Sequence, residues 1–531
     1  MNRLRIAPYL FGAMLSWVAF ASLSSAAPVV FQIEANRRYH ISPYIYGSNQ
    51  PNWQRHRELI TLTRWGGNRT TTYNWENNAS NAGADWRHQN DAYLCASNVP
   101  GEAVRRVVQD AQDARAAVIV TVPILGYVAA DNFGGGDVAQ TPGYLQKRFL
   151  RSLPRKKHPL TLLPDLLDTE VYQDEFVGWL EYTFRESRMD ASRAIFYALD
   201  NEPELWSTTH PRVHPKKTLF EEVVRRNIEY ATAIKAVAPR AMVFGPVSYG
   251  WHGFTSLQDA PDGQGRDFLD YYLDEMRTAQ RNTGRRLVDV LDIHWYPAVM
   301  IGKTRITEDS AQRDVAAARI QAPRSLWDPS YVERSWIAEQ STQGAIRLLP
   351  RMREKIFKLY PNTPLAISEY YFGGGADISG ALAQADVLGI FGREGVFAAA
   401  LWHQGKADDR FIYAAFAMYR NYDGQGGRFG STGIWATTND AERSSVYASL
   451  DEVDRVVIVA LNKTEAPLAV SIEVRRAREA PFAEIYHLTQ AGPRPVRGND
   501  VMVGVSGLIR CELPARSVST IVLKSPPRRP Q

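Results

Sequence analysis

Two acidic positions frame the chemistry open to this chain. In YALDNEPELW (197–206) an apolar run ends in Asp200, Asn201, Glu202 and Glu204, and in PLAISEYYF (364–372) a second run delivers Glu369. Cleaving a glycosidic bond needs two carboxyl groups flanking that bond. One is protonated and assists the leaving oxygen; the other attacks the anomeric carbon or activates water. Other strand ends carry Arg64, His294, Tyr296, Trp402 and His403. Arg64 would hold a neighbouring carboxylate ionised by opposite charge. Tyr296 would donate a hydrogen bond to it, and Asn201 would bond a sugar 2-hydroxyl. The acid needs the reverse treatment, a pKa raised by desolvation or by a like charge. Each residue also has a plainer reading. Glu202 by itself is a strand-exit carboxylate, Asp200 and Glu204 fix a loop, and His294 is a satisfied core histidine. Trp206 and Trp402 either pack or stack on sugar. The pairing of Glu202 with Glu369 favours chemistry.

Positioning these groups requires a scaffold that brings strand ends together. Eight short apolar or β-branched runs end abruptly in polar residues or glycine. They are YIYGSN (44–49), LTRWGGN (62–68), VIVTVPI (118–124), IFYALDNEP (195–203), MVFGPVSYG (242–250), VLDIHWYP (290–297), PLAISEYYF (364–372) and VFAAALWHQ (396–404). Amphipathic helical patterns such as GEAVRRVVQDAQDA and TLFEEVVRRNIEYATAIKAV lie between most of them. Strands alternating with helices make a parallel sheet, and eight such units predict an α/β fold, a (β/α)8 TIM barrel, over 43–428. Its active site belongs at the carboxyl ends of the strands. An open doubly wound sheet is the alternative, without a glycine-rich phosphate loop to support it. From 429 to 526 strand patterns follow one another without long helices, which predicts an appended C-terminal antiparallel β-sandwich. The early strand VVFQIEAN, within 27–42, is expected to join that sandwich. The last residues, 527–531, read as a disordered tail.

The amino terminus reads as a secretory signal over 1–26. Arg3 and Arg5 form its basic end, Leu10 to Leu23 its apolar stretch, and Ser24-Ser25-Ala26 a small-residue cleavage site. An uncleaved anchor is the alternative. With the leader removed, no membrane association is expected, because no later apolar run reaches the ~20 residues of a span. The formal net charge is +5; it is scattered along helical faces and gives no reason to expect nucleic acid. The two cysteines, Cys95 and Cys511, fall in different expected domains and are read as unpaired or uncertain.

At this level of detail the residues resemble a known family. DNEPELWSTTHPRVHP (200–215), RWGGNRTTTYNWENNASNAGADW (64–86), ILGYVAAD (124–131), SLWDPSYVERSWI (325–337) and AISEYYFGGG (366–375) are similar to glycoside hydrolase family 44. That resemblance implies a secreted endoglucanase, often also cutting xyloglucan, built from a (β/α)8 barrel and a β-sandwich. It implies Glu202 as general acid/base and Glu369 as nucleophile of a retaining mechanism. Arg64, Asn201, His294 and Tyr296 match positions around the sugar, and Trp327, Trp336 and Trp402 match aromatic walls of a glycan cleft. Trp65 stands where family members carry leucine or a similar residue; it either adds an aromatic near the site or fills core space. The resemblance further implies a structural Ca2+, for which the sequence offers Glu76, Asp165 and Asp168, and no cofactor for the chemistry itself.

Three functions compete on the sequence. The first is a monomeric, exported, retaining endo-β-1,4-glucanase acting on cellulose-like glucan and xyloglucan, with xylan or mannan as the enzyme alternative. The second is a non-catalytic carbohydrate binder on the same fold, disfavoured because both glutamates and their helpers are intact. The third is a structural surface protein whose sandwich binds a partner; the sandwich shows no aromatic stripe and reads instead as a buttress.

Overall fold

The structure is a computed structural model that describes residues 28–157, 159–403, 408–476 and 480–524. The leader at 1–26 and the tail at 527–531 lie outside the described residues. Eight parallel strands close into a barrel: Gly47–Asn49, Leu62–Trp65, Ala117–Val122, Ile195–Leu199, Val243–Ser248, Val290–Trp295, Leu365–Tyr370 and Ala398–Leu401. Each of the eight expected runs supplies one strand. The strands are buried on both faces, which is why they read as continuous apolar runs. Helices, among them Glu102–Asp113, Phe220–Val237, Phe268–Thr283 and Ile378–Arg393, pack around them.

The barrel interior is layered by the two-residue period of its strands. At the lower end the rings of Tyr44, Phe196, Phe244 and Phe397 meet at centroid distances of 5.2–6.2 Å. Leu62, Val290 and Ala366 belong to this apolar plug. Two residues on from each, the inward positions are Arg64, Asp292 and Ser368, all fully buried. Polar side chains therefore fill the upper layer, and His294 follows Asp292 at the mouth.

The sandwich sheet holds the strands Thr432–Thr438, Ser444–Leu450, Val456–Asn462, Leu468–Arg475, Phe482–Thr489, Gly492–Arg497, Leu508–Leu513 and Ser517–Lys524. Val29–His40 lies in the same sheet, antiparallel to Thr432–Thr438 and parallel to Leu468–Arg475. The early strand thus joins the otherwise antiparallel sandwich as expected, with one parallel neighbour, because it enters the sheet without a hairpin connection. The strand-like run MVGVSGL (502–508) does not form one strand. Val501–Met502 pairs with Phe482–Thr489, and the longer strand is LIRCEL, where charge interrupts the apolar pattern.

The sandwich is fastened to the barrel through polar groups. Lys463 forms a buried ion pair with Asp386 on the helix Ile378–Arg393 (2.8 Å), and the Tyr447 hydroxyl donates to the same carboxylate at 2.6 Å. Cys95 and Cys511 are both free. Among the described residues, no helix is long and apolar enough to cross a membrane.

Candidate active site

The fourth strand ends in a strained turn that presents Glu202. Asp200 (φ +70°) and Glu202 (φ +44°) both adopt the left-handed region, which is costly for residues with a Cβ. Asp200 holds this geometry. One of its oxygens accepts from the backbone N–H groups of Ile124 (2.7 Å) and Leu125 (3.0 Å), the other from the Asn201 N–H (2.8 Å). The Glu202 N–H donates to Val247 O on the fifth strand at 3.0 Å. Glu204 adds a third tie by accepting from the Ser248 hydroxyl and from the Tyr249 N–H (3.0 Å). Both acids thus fix the turn, as their plainer sequence reading has it.

Glu369, at the end of the seventh strand, is surrounded by donors. Arg64 Nη1 lies 2.6 Å from its Oε1 and the Tyr296 hydroxyl donates to its Oε2 at 2.8 Å. Arg64, fully buried, also donates to Asn201 Oδ1 at 2.7 Å. His294 lies between the two glutamates, its Nδ1 2.8 Å from Glu202 Oε1 and 3.5 Å from Glu369 Oε2, while Nε2 faces Ser368 Oγ at 3.1 Å. Among the described residues, Glu202, His294 and Glu369 are the group of three acidic, His or Cys side chains with ligand atoms all within 4.8 Å of one another.

The two carboxyl groups are electrostatically split. Burial pushes Glu202 up, and the charge of Glu369 adds to that against the lowering bond from His294. Burial acts the same way on Glu369, but His294, Arg64 and Tyr296 together outweigh it and hold Glu369 below the ordinary carboxylate value. His294 is raised: burial would lower it, and the two glutamates more than compensate. The Glu202 side chain keeps 16% of its surface exposed against 8% for Glu369, so the raised group is the more open of the two to the cleft.

That cleft has a volume of about 1090 Å³ and contains Asn201, Glu202, Tyr296, Glu369 and Trp402 in its lining. Trp402 rests on Gly67 (φ +94°), where a Cβ would come within 2.6 Å of the indole ring. The far wall is one the sequence reading missed. Trp86 and Tyr93, 54% and 75% exposed, rise from the segment after the second strand. Arg69 is ion-paired with Asp91 and lies 4.4 Å over the Tyr93 ring. The signal for this wall was the aromatic and amide density of GADWRHQNDAYL (83–94).

Of the three expected wall tryptophans, Trp402 lines the cleft and Trp327 stands elsewhere. Trp327 is corrected: it packs under the Arg393 guanidinium (4.1 Å), at the end of a helix that runs away from the barrel mouth. Trp336 stacks on His252 at 4.3 Å, just beyond the carboxyl end of the fifth strand. Trp65 fills core space, edge-on to Tyr73 at 5.4 Å.

Glu76 is buried and its pKa is pushed up to about 8, by burial first and then by Asp168, Glu175 and Asp165. Glu175 is itself engaged by the Lys156 ammonium at 2.7 Å. Glu76, Asp165 and Asp168 thus face a common region, although their oxygens do not converge within 4.8 Å as those of the active-site group do.

Residues 79–299 match glycoside hydrolase family 44. Endoglucanase A of Paenibacillus lautus is 39% identical over 538 residues, covering 96% of this chain and 75% of that protein. The chain belongs to glycoside hydrolase family 44. A solved structure of a Paenibacillus polymyxa family 44 xyloglucanase with xyloglucan superposes with a TM-score of 0.89 at 37% identity, covering 94% of this chain and all of that one. The beta-mannanase/endoglucanase A of Caldicellulosiruptor saccharolyticus is 39% identical over 90% of this chain, which spans 37% of that protein's length. The family 44 chain is accordingly a glycoside hydrolase, with a barrel and sandwich arranged as in its solved relatives.

Proposed function

We propose that the protein is a secreted, retaining endo-β-1,4-glucanase that cuts internal bonds of cellulose-like glucans and of xyloglucan. The observation that carries this reading is the Glu202–Glu369 pair, with oxygens within 4.8 Å and opposed electrostatic environments. Retaining enzymes hold their carboxyl groups ~5–5.5 Å apart, inverting ones ~6.5–9.5 Å. Glu369 attacks the anomeric carbon while Glu202 gives its proton to the departing glycosidic oxygen. The bond to that oxygen breaks and a glycosyl ester forms on Glu369. The ester removes the negative charge that had raised Glu202, so Glu202 becomes more acidic as its task changes to taking a proton from water. The hydroxide equivalent then displaces Glu369, returning the starting carboxylate. Asn201, held by Arg64, is placed to bond the sugar 2-hydroxyl. Trp86, Tyr93 and Trp402 offer flat faces to the chain on either side, and the leader read from the sequence supports export.

Glu76, Asp165 and Asp168 are the residues that would hold a structural Ca2+. The fit rests on charge: burial and neighbouring acids push Glu76 and Asp168 toward protonation, and a hard cation relieves that repulsion. Its contribution would be to fold stability.

A mannan-cutting activity is the second reading, favoured by the name of the Caldicellulosiruptor relative. Turnover of wild type and Glu369→Ala on barley β-glucan, xyloglucan, xylan and mannan tests both readings. An inactive variant rescued by azide to an α-glycosyl azide is expected, with the glucans ranked first. Near-normal activity of Glu369→Ala would sink the site assignment, and mannan ranked first would replace the substrate.

A further inference from the structure

Behind the two glutamates the sixth and seventh strands fall out of step. Ile293 faces Ile367 and His294 faces Glu369, so Ser368 is an extra residue on the seventh strand. A bulge of this kind re-aims side chains that a regular strand would send to opposite faces. Here it lets two consecutive residues reach one ring. Glu369 Oε2 lies 3.5 Å from His294 Nδ1, and Ser368 Oγ lies 3.1 Å from His294 Nε2. The bulge is tied down on both sides: the Ser368 N–H donates to Asp292 Oδ1 at 3.1 Å, and the Ser368 carbonyl accepts from Asn49 Nδ2 at 3.0 Å.

Asp292, Ser368 and His294 are all fully buried, so their hydrogen-bond directions are set by one another. The Ser368 hydroxyl is bonded to the Asp292 carboxyl group as well as to the ring. Burial pushes Asp292 up, and the charges of His294 and Arg64 and the bonds from Ser368 act against it. As a carboxylate Asp292 only accepts, so the hydroxyl gives it its single proton and turns a lone pair to His294. Nε2 then carries a hydrogen. Any proton that His294 gains or loses is at Nδ1, 2.8 Å from Glu202 Oε1. Glu369, Glu202 and Arg64 are the charged groups acting on the ring directly, and Asp292 faces it across the serine. On its other side Glu202 meets Glu204 and Tyr249.

We propose that Asp292 and Ser368 are positioning residues for the acid: they keep His294 protonated at Nε2, so that Nδ1 holds Glu202 by Oε1 and leaves Oε2 for the departing glycosidic oxygen. The proposal rests on the assignment of Glu202 as general acid.

Asp292→Asn and Ser368→Ala test it, beside wild type and Glu202→Gln. In Asp292→Asn the amide donates to the serine, which turns the hydroxyl toward Nε2 and moves the ring hydrogen to Nδ1. Ser368→Ala removes the acceptor of Nε2. Two substrates are used: phenyl cellobioside, whose leaving group needs a proton, and 2,4-dinitrophenyl cellobioside, whose leaving group departs without one. The quantity read is kcat/KM, which ends at the glycosyl ester. The expected result is a fall of about tenfold to a hundredfold on phenyl cellobioside and a rate within about threefold of wild type on the dinitrophenyl substrate. Ser368→Thr, which keeps the hydroxyl, should recover the phenyl rate. Equal loss on both substrates, or no loss on either, in Asp292→Asn would overturn the proposal, and that isosteric variant decides the matter if Ser368→Ala does not fold. Glu202→Gln separates the two readings. If it shows the same selectivity, the acid assignment stands and only the positioning role is at stake; if it does not, the acid assignment falls and takes this proposal with it.

Discussion

Arg64 and Glu369 form a buried ion pair at 2.6 Å, and the same guanidinium reaches Asn201 at 2.7 Å. One cation thus sets both the charge of the candidate nucleophile and the position of the amide proposed to meet the sugar. Removing one partner of such a pair leaves an uncompensated buried charge. Arg64→Met is therefore expected to lower kcat/KM by about 10²- to 10³-fold and to move the acid limb of the pH profile upward. Tyr296→Phe should move the same limb in the same direction by less. The sign follows from the proposed roles: as nucleophile Glu369 would work ionised, and it is held low, so losing a stabilising donor requires a higher pH to ionise it. A pH–kcat/KM profile with an unmoved acid limb in both variants would refute this.

The alkaline limb should belong to Glu202. It works protonated, and activity falls as pH rises through its raised pKa. Glu204, pushed up to about 7 chiefly by burial, ties the Glu202 turn to the fifth strand. Glu204→Gln keeps an oxygen acceptor and should retain most activity. Glu204→Leu frees the turn and should cost about tenfold to a hundredfold in kcat, because a small misplacement of the acid is expensive. KM should stay near the wild-type value. Equal kinetics for the two variants would show that the tie does not position Glu202.

The cleft wall makes a different prediction. Trp86→Ala and Tyr93→Ala remove exposed rings distant in role from proton transfer. KM for polysaccharide should rise by about threefold to thirtyfold for each ring, with kcat little changed. A fall in kcat at constant KM, measured on barley β-glucan, would place these rings at the reacting sugar instead.

Glu76 supplies a stability test. Its pKa is about 8 in the fold against 4.5 for an ordinary glutamate, so the folded state binds this proton more tightly. Stability from this group is full below the unfolded value and is lost as pH climbs toward 8. Chelator-treated protein should lose several degrees of Tm between pH 5 and 8. Added Ca2+ should restore the loss at pH 8, and Glu76→Gln should flatten the pH dependence. A Tm indifferent to both chelator and Ca2+ would remove the metal.

The barrel was legible because its strands are buried on both sides and end in abrupt polarity. Glu202 and Glu369 were legible for the same reason, being acids that no buried strand would carry without use. Ser368 was not, although it contacts His294, because a serine in an apolar run has many ordinary uses. Trp327 was misplaced because strand order tells which end of the barrel a strand residue faces, whereas a loop residue can pack at either end. Trp86 and Tyr93 were missed since their segment belongs to no barrel strand. In the sandwich, LIRCEL was hidden by its charged alternation, and the parallel partner of Val29–His40 by its distance along the chain.

That distance has a bearing on how the enzyme is made. The Val30 amide is bonded to Asn439, 409 positions later, and one neighbour of its strand ends at Arg475. The segment leaves the ribosome near the start of synthesis and waits, unpaired, for nearly all the rest. Alternating apolar residues on an open edge invite wrong pairing, so during those seconds the nascent chain depends on being kept unfolded or shielded. A product truncated before the sandwich would keep this strand without either of its neighbours, an open edge for the life of the chain.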